Sequence, residues 1–538
     1  MYQVYPRSFA DGDGDGVGDL LGVLNRLPYL QDLGVDAIWF TPWYPSPMAD
    51  GGYDVADYRA IDPVFGDLRL AEEVITTASR LGIRTIVDVV PNHVSDQHRW
   101  FQEALAAAPG SPERQRFWFR PGVGPDGALP PNGWQSNFGG PAWSRTTDAD
   151  GNPGEWYLHL FAPGQPDLNW GCPVVRAEFE DVLRFWFDRG VAGVRIDSAA
   201  LLVKDPSLPE LREKLGPGEH PYVDRDELQD VYRSWRQIAD EYGDRALVGE
   251  IWLPDVERFG RYLRPDVLHT AFNFDFLTCA WDVDRLRRSI ETTLAVHEQV
   301  GAPATWVLAN HDVTRPATRY GRSDTSFAFE RKRFGTPTDL DLGLRRARAA
   351  ALLSMALPGS VYVYQGDELG LPEVEDLPLD QLEDPMHERS GGIDPGRDGC
   401  RVPLPWSGQE PPYGFSAPLL GAGAAPTWLP QPLSWNGISV QAQQGDVGST
   451  LSLYREALRL RREHPDLGDG RLRWLTASET DVEGVLAFRR GPSLVSVTNL
   501  RPGPVDLPAH HRVLLSSAPL EGGRLPADTT VWLDAPTT

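Results

Sequence analysis

The chain has little of what several protein classes require. Only three cysteines, Cys172, Cys279 and Cys400, are spread over 538 residues. No Cys-x-x-Cys metal site is available and no disulfides are required, a usage that fits a reducing cytosol. Positive charge is also scarce, with 51 Lys and Arg against 76 Asp and Glu and a net charge of −25. A surface of that sign repels phosphate backbones, which argues against nucleic acid as a partner. No apolar run approaches the roughly 20 residues needed to cross a bilayer. Nothing at the amino terminus has the form of a secretory leader. A cytoplasmic protein with no membrane partner and no organic cofactor is therefore expected.

What remains is a globular composition, 41% hydrophobic and 24% charged, long enough for two or three domains. It is rich in Trp, Tyr and Phe, which fill cores and also stack on the apolar faces of sugars. Short β-branched runs recur and most are followed by an amphipathic helix. The pattern predicts strands at Tyr2–Phe9, Ala37–Pro42, Arg84–Val90, Gly193–Ser198, Leu247–Trp252, Thr270–Phe274, Thr305–Asn310 and Val361–Tyr364. Helices are predicted at Leu20–Leu33, Leu70–Leu81, Val174–Arg189, Leu228–Tyr242 and Leu342–Ala356. Runs such as "TIVDVV" are apolar on both faces, as parallel strands covered by helices are. Eight such units predict a (β/α)8 barrel, since a doubly wound sheet does not easily hold eight in one layer.

Two stretches break this rhythm. The segment after Val90, rich in Gly, Pro, Asn and Trp, is too long for a simple loop and reads as an inserted subdomain. A second irregular stretch runs from Leu371 to about Gly448. The expected division is a barrel over 1–93 and 166–466, an inserted subdomain B over 94–165, and a C-terminal antiparallel β-sandwich over 467–538.

Near the start, "DGDGDGVGDL" places acids at alternate positions. Asp11, Asp13, Asp15 and Asp19, with the carbonyl of Val17, occupy calcium-loop positions. The twelfth position is Gly22 rather than Glu, and a strand rather than a helix precedes it, so this is no EF-hand. The spacing alone leaves a calcium loop and a solvated acidic turn open.

In a barrel, chemistry belongs at the C-terminal strand ends. Four predicted ends carry polar groups: "DVVPNH" (Asp88, Asn92, His93), "GVRIDSA" (Arg195, Asp197), "VGEIW" (Glu250) and "ANHD" (His311, Asp312). A charged group at a strand end costs burial energy unless it is paired or used. Asp197, Glu250 and Asp312 on one rim with an Arg and two His are hard to explain as scattered structural pairs.

These four segments, in this order, resemble the signature regions of the α-amylase superfamily, glycoside hydrolase family 13. The opening "YQVYPRSFADGDGDGVGDL" is similar to the start of its α-glucosidases and oligo-1,6-glucosidases, where a calcium loop follows the first strand. "QPDLNW" at Gln165–Trp170 resembles the motif of the oligo-1,6-glucosidase subgroup. The resemblance implies a structural Ca2+ on the acidic loop. It implies Asp197 as nucleophile, Glu250 as general acid/base and Asp312 as transition-state stabiliser of a retaining, exo-acting α-glucosidase. Asp54 and Arg401 would clamp the terminal glucose, with Tyr53, His93, Phe161, Arg195, His311 and Arg397 around it. Glu250 is expected to be the carboxyl that stays protonated, and Asp197 the ionised one. Ser198, where α-1,6-specific members carry Val, points to α-1,4 substrates such as maltose and short malto-oligosaccharides. A glucosyltransferase or isomerase with the same covalent intermediate, and transglycosylation with it, is the alternative. A non-catalytic binding module is disfavoured because all three carboxylates are present.

Overall fold

The computed structural model describes residues 1–147, 150–416, 425–468, 470–476, 479 and 484–536. Eight parallel strands form one sheet: β1 Tyr2–Val4, β2 Ala37–Phe40, β3 Arg84–Val89, β4 Gly193–Ile196, β5 Ala246–Gly249, β6 Thr270–Ala271, β7 Thr305–Val307 and β8 Ser360–Tyr364. Their order is β7-β8-β1-β2-β3-β4-β5-β6. The seam between β6 and β7 is joined by side chains, Thr305 Oγ1 donating to the Ala271 carbonyl and Thr270 Oγ1 to that of Pro303. The sheet thus closes as a (β/α)8 barrel.

Alternation along the strands builds two cores. Ile38 and Phe40 of β2 point outward into the main cluster under the helices, while Trp39 between them points inward. Trp39, Ile86, Val248, Phe272, Val307 and Tyr362 fill the barrel interior. Interleaved helices are α1 Leu20–Leu33, α2 Leu68–Arg80, α3 Pro173–Asp188, α4 Leu228–Glu241, α5 Val283–Val300, α6 Leu340–Ala356 and α7 Thr450–Glu463. Asp side chains accept from early amides at several starts: Asp19 from Gly22 N, Asp67 from Leu70 N, Asp339 from Leu342 N.

Seven of the eight strands end earlier than the pattern predicts, two of them for a clear local reason. β1 stops at Val4 because Pro6 opens a helical turn, Pro6–Phe9, with proline at its first position. β6 stops at Ala271 because the Asn273 side chain accepts from Phe276 N and starts the helix Phe274–Thr278.

Between β3 and α3 the inserted chain forms a helix, Arg99–Ala106, and an antiparallel sheet. Its strand order is Phe119–Arg120, Pro153–Leu158, Trp143–Thr147. Trp118, Trp134, Trp143 and Leu158 pack together there. A fully buried ion pair, Lys204 Nζ to Asp167 Oδ2 at 2.7 Å, joins the end of the insert to the loop after β4. The stretch after β8 returns to the acidic loop, where Asp11 N donates to the Phe415 carbonyl and Trp428 N to that of Gly16.

The C-terminal strands form one five-stranded antiparallel sheet. The sandwich expected from the alternation is not made of two sheets among the described residues. One face of this sheet packs on α6, with Trp532 Nε1 donating to the Leu352 carbonyl and Thr530 Oγ1 to that of Ala349. The other face is covered by the short Val505–Leu525 bridge. Among the described residues no helix is long and apolar enough to cross a membrane.

Candidate active site

The carboxyl ends of β3, β4, β5 and β7 open into a cavity of about 410 Å³. Tyr53, His93, Phe161, Asp197, Glu250, His311, Asp312 and Arg397 all line it. Backbone ladders fix the spacing of the acids: Asp197 N donates to the Val89 carbonyl, Glu250 N to that of Ile196.

Arg195 lies beneath the cavity, 1% exposed, and holds three carboxylates. Nη1 is 2.9 Å from Asp88 Oδ1 and 2.7 Å from Asp197 Oδ1, and Nη2 is 2.7 Å from Glu250 Oε2. One cation cannot neutralise three buried acids, so protons stay in the group. Burial and the Glu250 charge push the Asp197 carboxyl well up, with Arg195 opposing. Burial raises Asp88 to about 7, again against Arg195. Asp197, the carboxyl expected to be ionised, is thus one that is pushed up. Asp197 and Glu250 share the Arg195 guanidinium and each other's charge, so their proton belongs to the pair.

The opposite wall has the reverse balance. Arg397 bonds Asp50 at 2.6 Å, Asp384 at 2.6 Å and Asp312 at 3.1 Å, and Arg401 adds a second contact to Asp312 at 3.1 Å. Although burial opposes it, the His311 N–H and the two guanidiniums hold Asp312 well below the usual carboxylate range. His311 is neutral, burial lowering it to about 3. Gln3 Nε2, 2.7 Å from Nδ1, has only hydrogens to give there, which leaves the ring proton on Nε2, 3.3 Å from Asp312 Oδ2. The Tyr53 ring stacks on His311 at 5.1 Å and 3°. Burial likewise keeps His93 neutral, lowered to about 4.

The clamp read from the sequence needs correction. Asp54 is fully buried below the 46–50 turn and does not line the cavity. Its oxygens accept from Ser46 Oγ, Ala49 N and Asp50 N. Asp50 faces the cavity instead and pairs with Arg397, while Arg401 stands behind Asp312 and donates from Nε to the His311 carbonyl. Other lining residues not singled out by the sequence are Asn137 and Phe138 from the insert, Trp252 after Glu250, Phe329 and Glu330 after β7, and Met386. Only Trp252 carried a signal, sitting two residues beyond Glu250 in "VGEIW".

Asp11, Asp13 and Asp15 bring carboxylate oxygens within 4.8 Å of one another, a donor set that fits a hard cation. Asp19 does not belong to that group. Its two oxygens accept from Gly12 N, Asp13 N and Gly22 N, the last capping α1, much as the Asp11 oxygens accept from Gly14 N and Gly16 N. Val17 donates its amide to Asp15.

The family model for the α-amylase catalytic domain matches residues 3–470. The chain belongs to the α-amylase family. It is 37% identical over 499 residues, 88% of this chain and 84% of the other, to a probable α-glucosidase from Rhizobium meliloti. It is 35% identical to the trehalose-6-phosphate hydrolase of Escherichia coli, covering 93% and 90% of the two chains. An α-glucosyl transfer enzyme of known structure superposes with a TM-score of 0.82 at 32% identity, covering 99% of this chain and 98% of that one. As a member of this family the protein is a glycoside hydrolase, and its α-glucosidase relatives place it in that part of the family.

Proposed function

We propose that the protein is a retaining, exo-acting α-glucosidase that releases terminal glucose from short α-glucosides. The observation that carries this is the Arg195-centred group. Asp197 and Glu250 each sit 2.7 Å from neighbouring nitrogens of one guanidinium. That proximity suits a double displacement, whose carboxyls stand about 5–5.5 Å apart, rather than the wider pair that flanks a water in inverting enzymes. Asp197 attacks the anomeric carbon while Glu250 gives its proton to the departing oxygen. Glu250 then takes a proton from water, which attacks the glucosyl ester and frees Asp197. Asp312, kept ionised, holds sugar hydroxyls with His311, and its worth appears mainly in the transition state.

Asp50 and Arg397 support an exo mode, since they form a charged wall where a longer chain would have to pass. Ser198, small and polar beside the nucleophile, supports α-1,4 bonds such as that of maltose. Glucosyl transfer is the second reading, supported by the overall likeness to the transfer enzyme. The acidic loop is assigned to a structural Ca2+ held by Asp11, Asp13 and Asp15, which would pin the loop against Phe415 and Trp428.

The test is glucose release from maltose, isomaltose, trehalose, sucrose and maltotriose, with Asp197→Asn as control. Glucose as the sole product from concentrated maltose supports hydrolysis, and new disaccharides support transfer. Equal rates in the control would overturn the assignment of the nucleophile.

A further inference from the structure

Glu250 has two differently dressed oxygens. Oε2 receives Arg195 Nη2 at 2.7 Å and the Ser198 amide at 2.9 Å. A proton on Oε2 would face both donors, so Oε1 is the oxygen free to carry it. Oε1 has one partner, the indole Nε1–H of Trp252 at 3.1 Å. This indole is 37% exposed, so burial does not fix it. Stacking does: its ring lies 3.6 Å from that of Phe274, at 12°, with Phe329 at 5.8 Å. Phe274 is itself buried against Phe272.

We propose that Trp252 is a positioning residue whose N–H aims the proton of Glu250 Oε1 at the leaving group and steadies the carboxylate once that proton has gone, a role that rests on the glucosidase reading. The indole takes one lone pair of Oε1 and leaves the other direction, toward the cavity, for the proton. When the proton passes to the departing oxygen, a donor is already in place at the new charge and no reorganisation is needed. A phenylalanine would keep the ring stack but could not do this.

Trp252→Phe keeps the stack and deletes the donor; Trp252→Ala deletes both. Each is compared with the parent for kcat and KM across pH on maltose and on 4-nitrophenyl α-glucoside, whose leaving group needs little protonation. A hydrogen bond to a carboxylate favours its ionised form, so losing it delays proton loss and moves the alkaline limb upward. For Trp252→Phe we expect that limb on maltose to rise by about half to one pH unit and kcat to fall roughly 3–10-fold, with the nitrophenyl rate within about twofold. Trp252→Ala should show the same limb shift and, in addition, a higher KM. An unmoved limb in Trp252→Phe, equal losses on both substrates, or a rise in KM alone would reduce Trp252 to a wall and overturn the proposal. A parent enzyme that cleaves neither substrate would sink the glucosidase reading and this role with it. Active parent and unchanged Trp252→Phe would sink the role only.

Discussion

Replacing Asp50 with alanine asks which carboxylate closes the pocket. Asp50 is 4% exposed, its Oδ1 2.6 Å from Arg397 Nη2 and its Oδ2 3.0 Å from Gln165 Nε2. Arg397 keeps Asp384 and Asp312 when Asp50 is removed, so its charge stays compensated and the fold is little affected. What is lost is one charged hydrogen bond to a glucose hydroxyl and the tension that aims Arg397. Bonds of that kind contribute about 1.5–3 kcal/mol, or roughly 10–150-fold in kcat/KM. We therefore expect initial rates of glucose release from maltose to give a kcat/KM about a hundredfold below the parent, with a melting temperature only a few degrees lower. Asp54→Asn is the counter-experiment. Its side chain serves the Ser46 hydroxyl and two amides of the turn, so its loss should appear first in the melting temperature. A parental kcat/KM in Asp50→Ala, beside a hundredfold loss in a stably folded Asp54→Asn, would refute the reasoning.

Asp197→Asn should lower kcat on maltose by about 10⁴-fold or more with an unchanged melting temperature, since the amide keeps the shape but cannot form the glucosyl ester. Chelation should lower the melting temperature without abolishing activity, because the Asp11–Asp15 group lies on the acidic loop and not in the catalytic cavity; an unchanged melting temperature in a sample shown to be calcium-free would refute the assignment. His98 starts the helix Arg99–Ala106 by accepting from Trp100 N through Nδ1, and burial lowers it to about 4. Its lowered value means that the folded state binds fewer protons than the unfolded one between pH 6.5 and 4. That contribution is complete above 6.5 and is lost as pH falls through 4. His98→Asn keeps an acceptor at the cap but cannot titrate. Between pH 7 and 4.5 its urea midpoint should therefore fall less than the parent's, by an amount worth about 2–3 kcal/mol. Equal falls would show that His98 is already protonated in the folded chain.

Strand ends were readable because a charged group at the end of an apolar run violates the burial pattern, as Asp197 and Glu250 do and as the Asn310–Asp312 cluster does after Ala309. The length of β1 was not, since "YQVYPRSF" is apolar enough for a strand and only the φ of Pro6 favours a helical turn. The error at Asp54 has a local cause. It sits in an acidic loop with other acids, and spacing cannot say which carboxylate faces outward and which is consumed by the loop's own amides. Asp50 and Asp54 are four residues apart, yet one turn of backbone at 46–50 gives all of Asp54's capacity to the fold and leaves Asp50 for the cavity. Phe329 and Glu330 reach the site from an irregular segment whose path depends on everything it packs against, so no local pattern marks them.

The division of charge is the part least visible in the sequence and the most useful for the chemistry. Six acids, Asp50, Asp88, Asp197, Glu250, Asp312 and Asp384, surround two arginines, Arg195 and Arg397. On the Arg195 side no second cation among the described residues contacts the trio, and a proton is retained by Asp197 and its partners. On the Arg397 side Arg401 joins in, and both carboxyls are held well below the usual range against their burial, Asp312 by His311, Arg397 and Arg401, and Asp384 by Arg397 and Arg401. The number of positive and N–H partners on each side therefore sets which half of the cavity can move a proton and which half stays charged. Glycoside cleavage needs one half of each kind. Arg401, assigned from resemblance to a sugar clamp, fits better as one of the residues that make this difference, through its contact with Asp312.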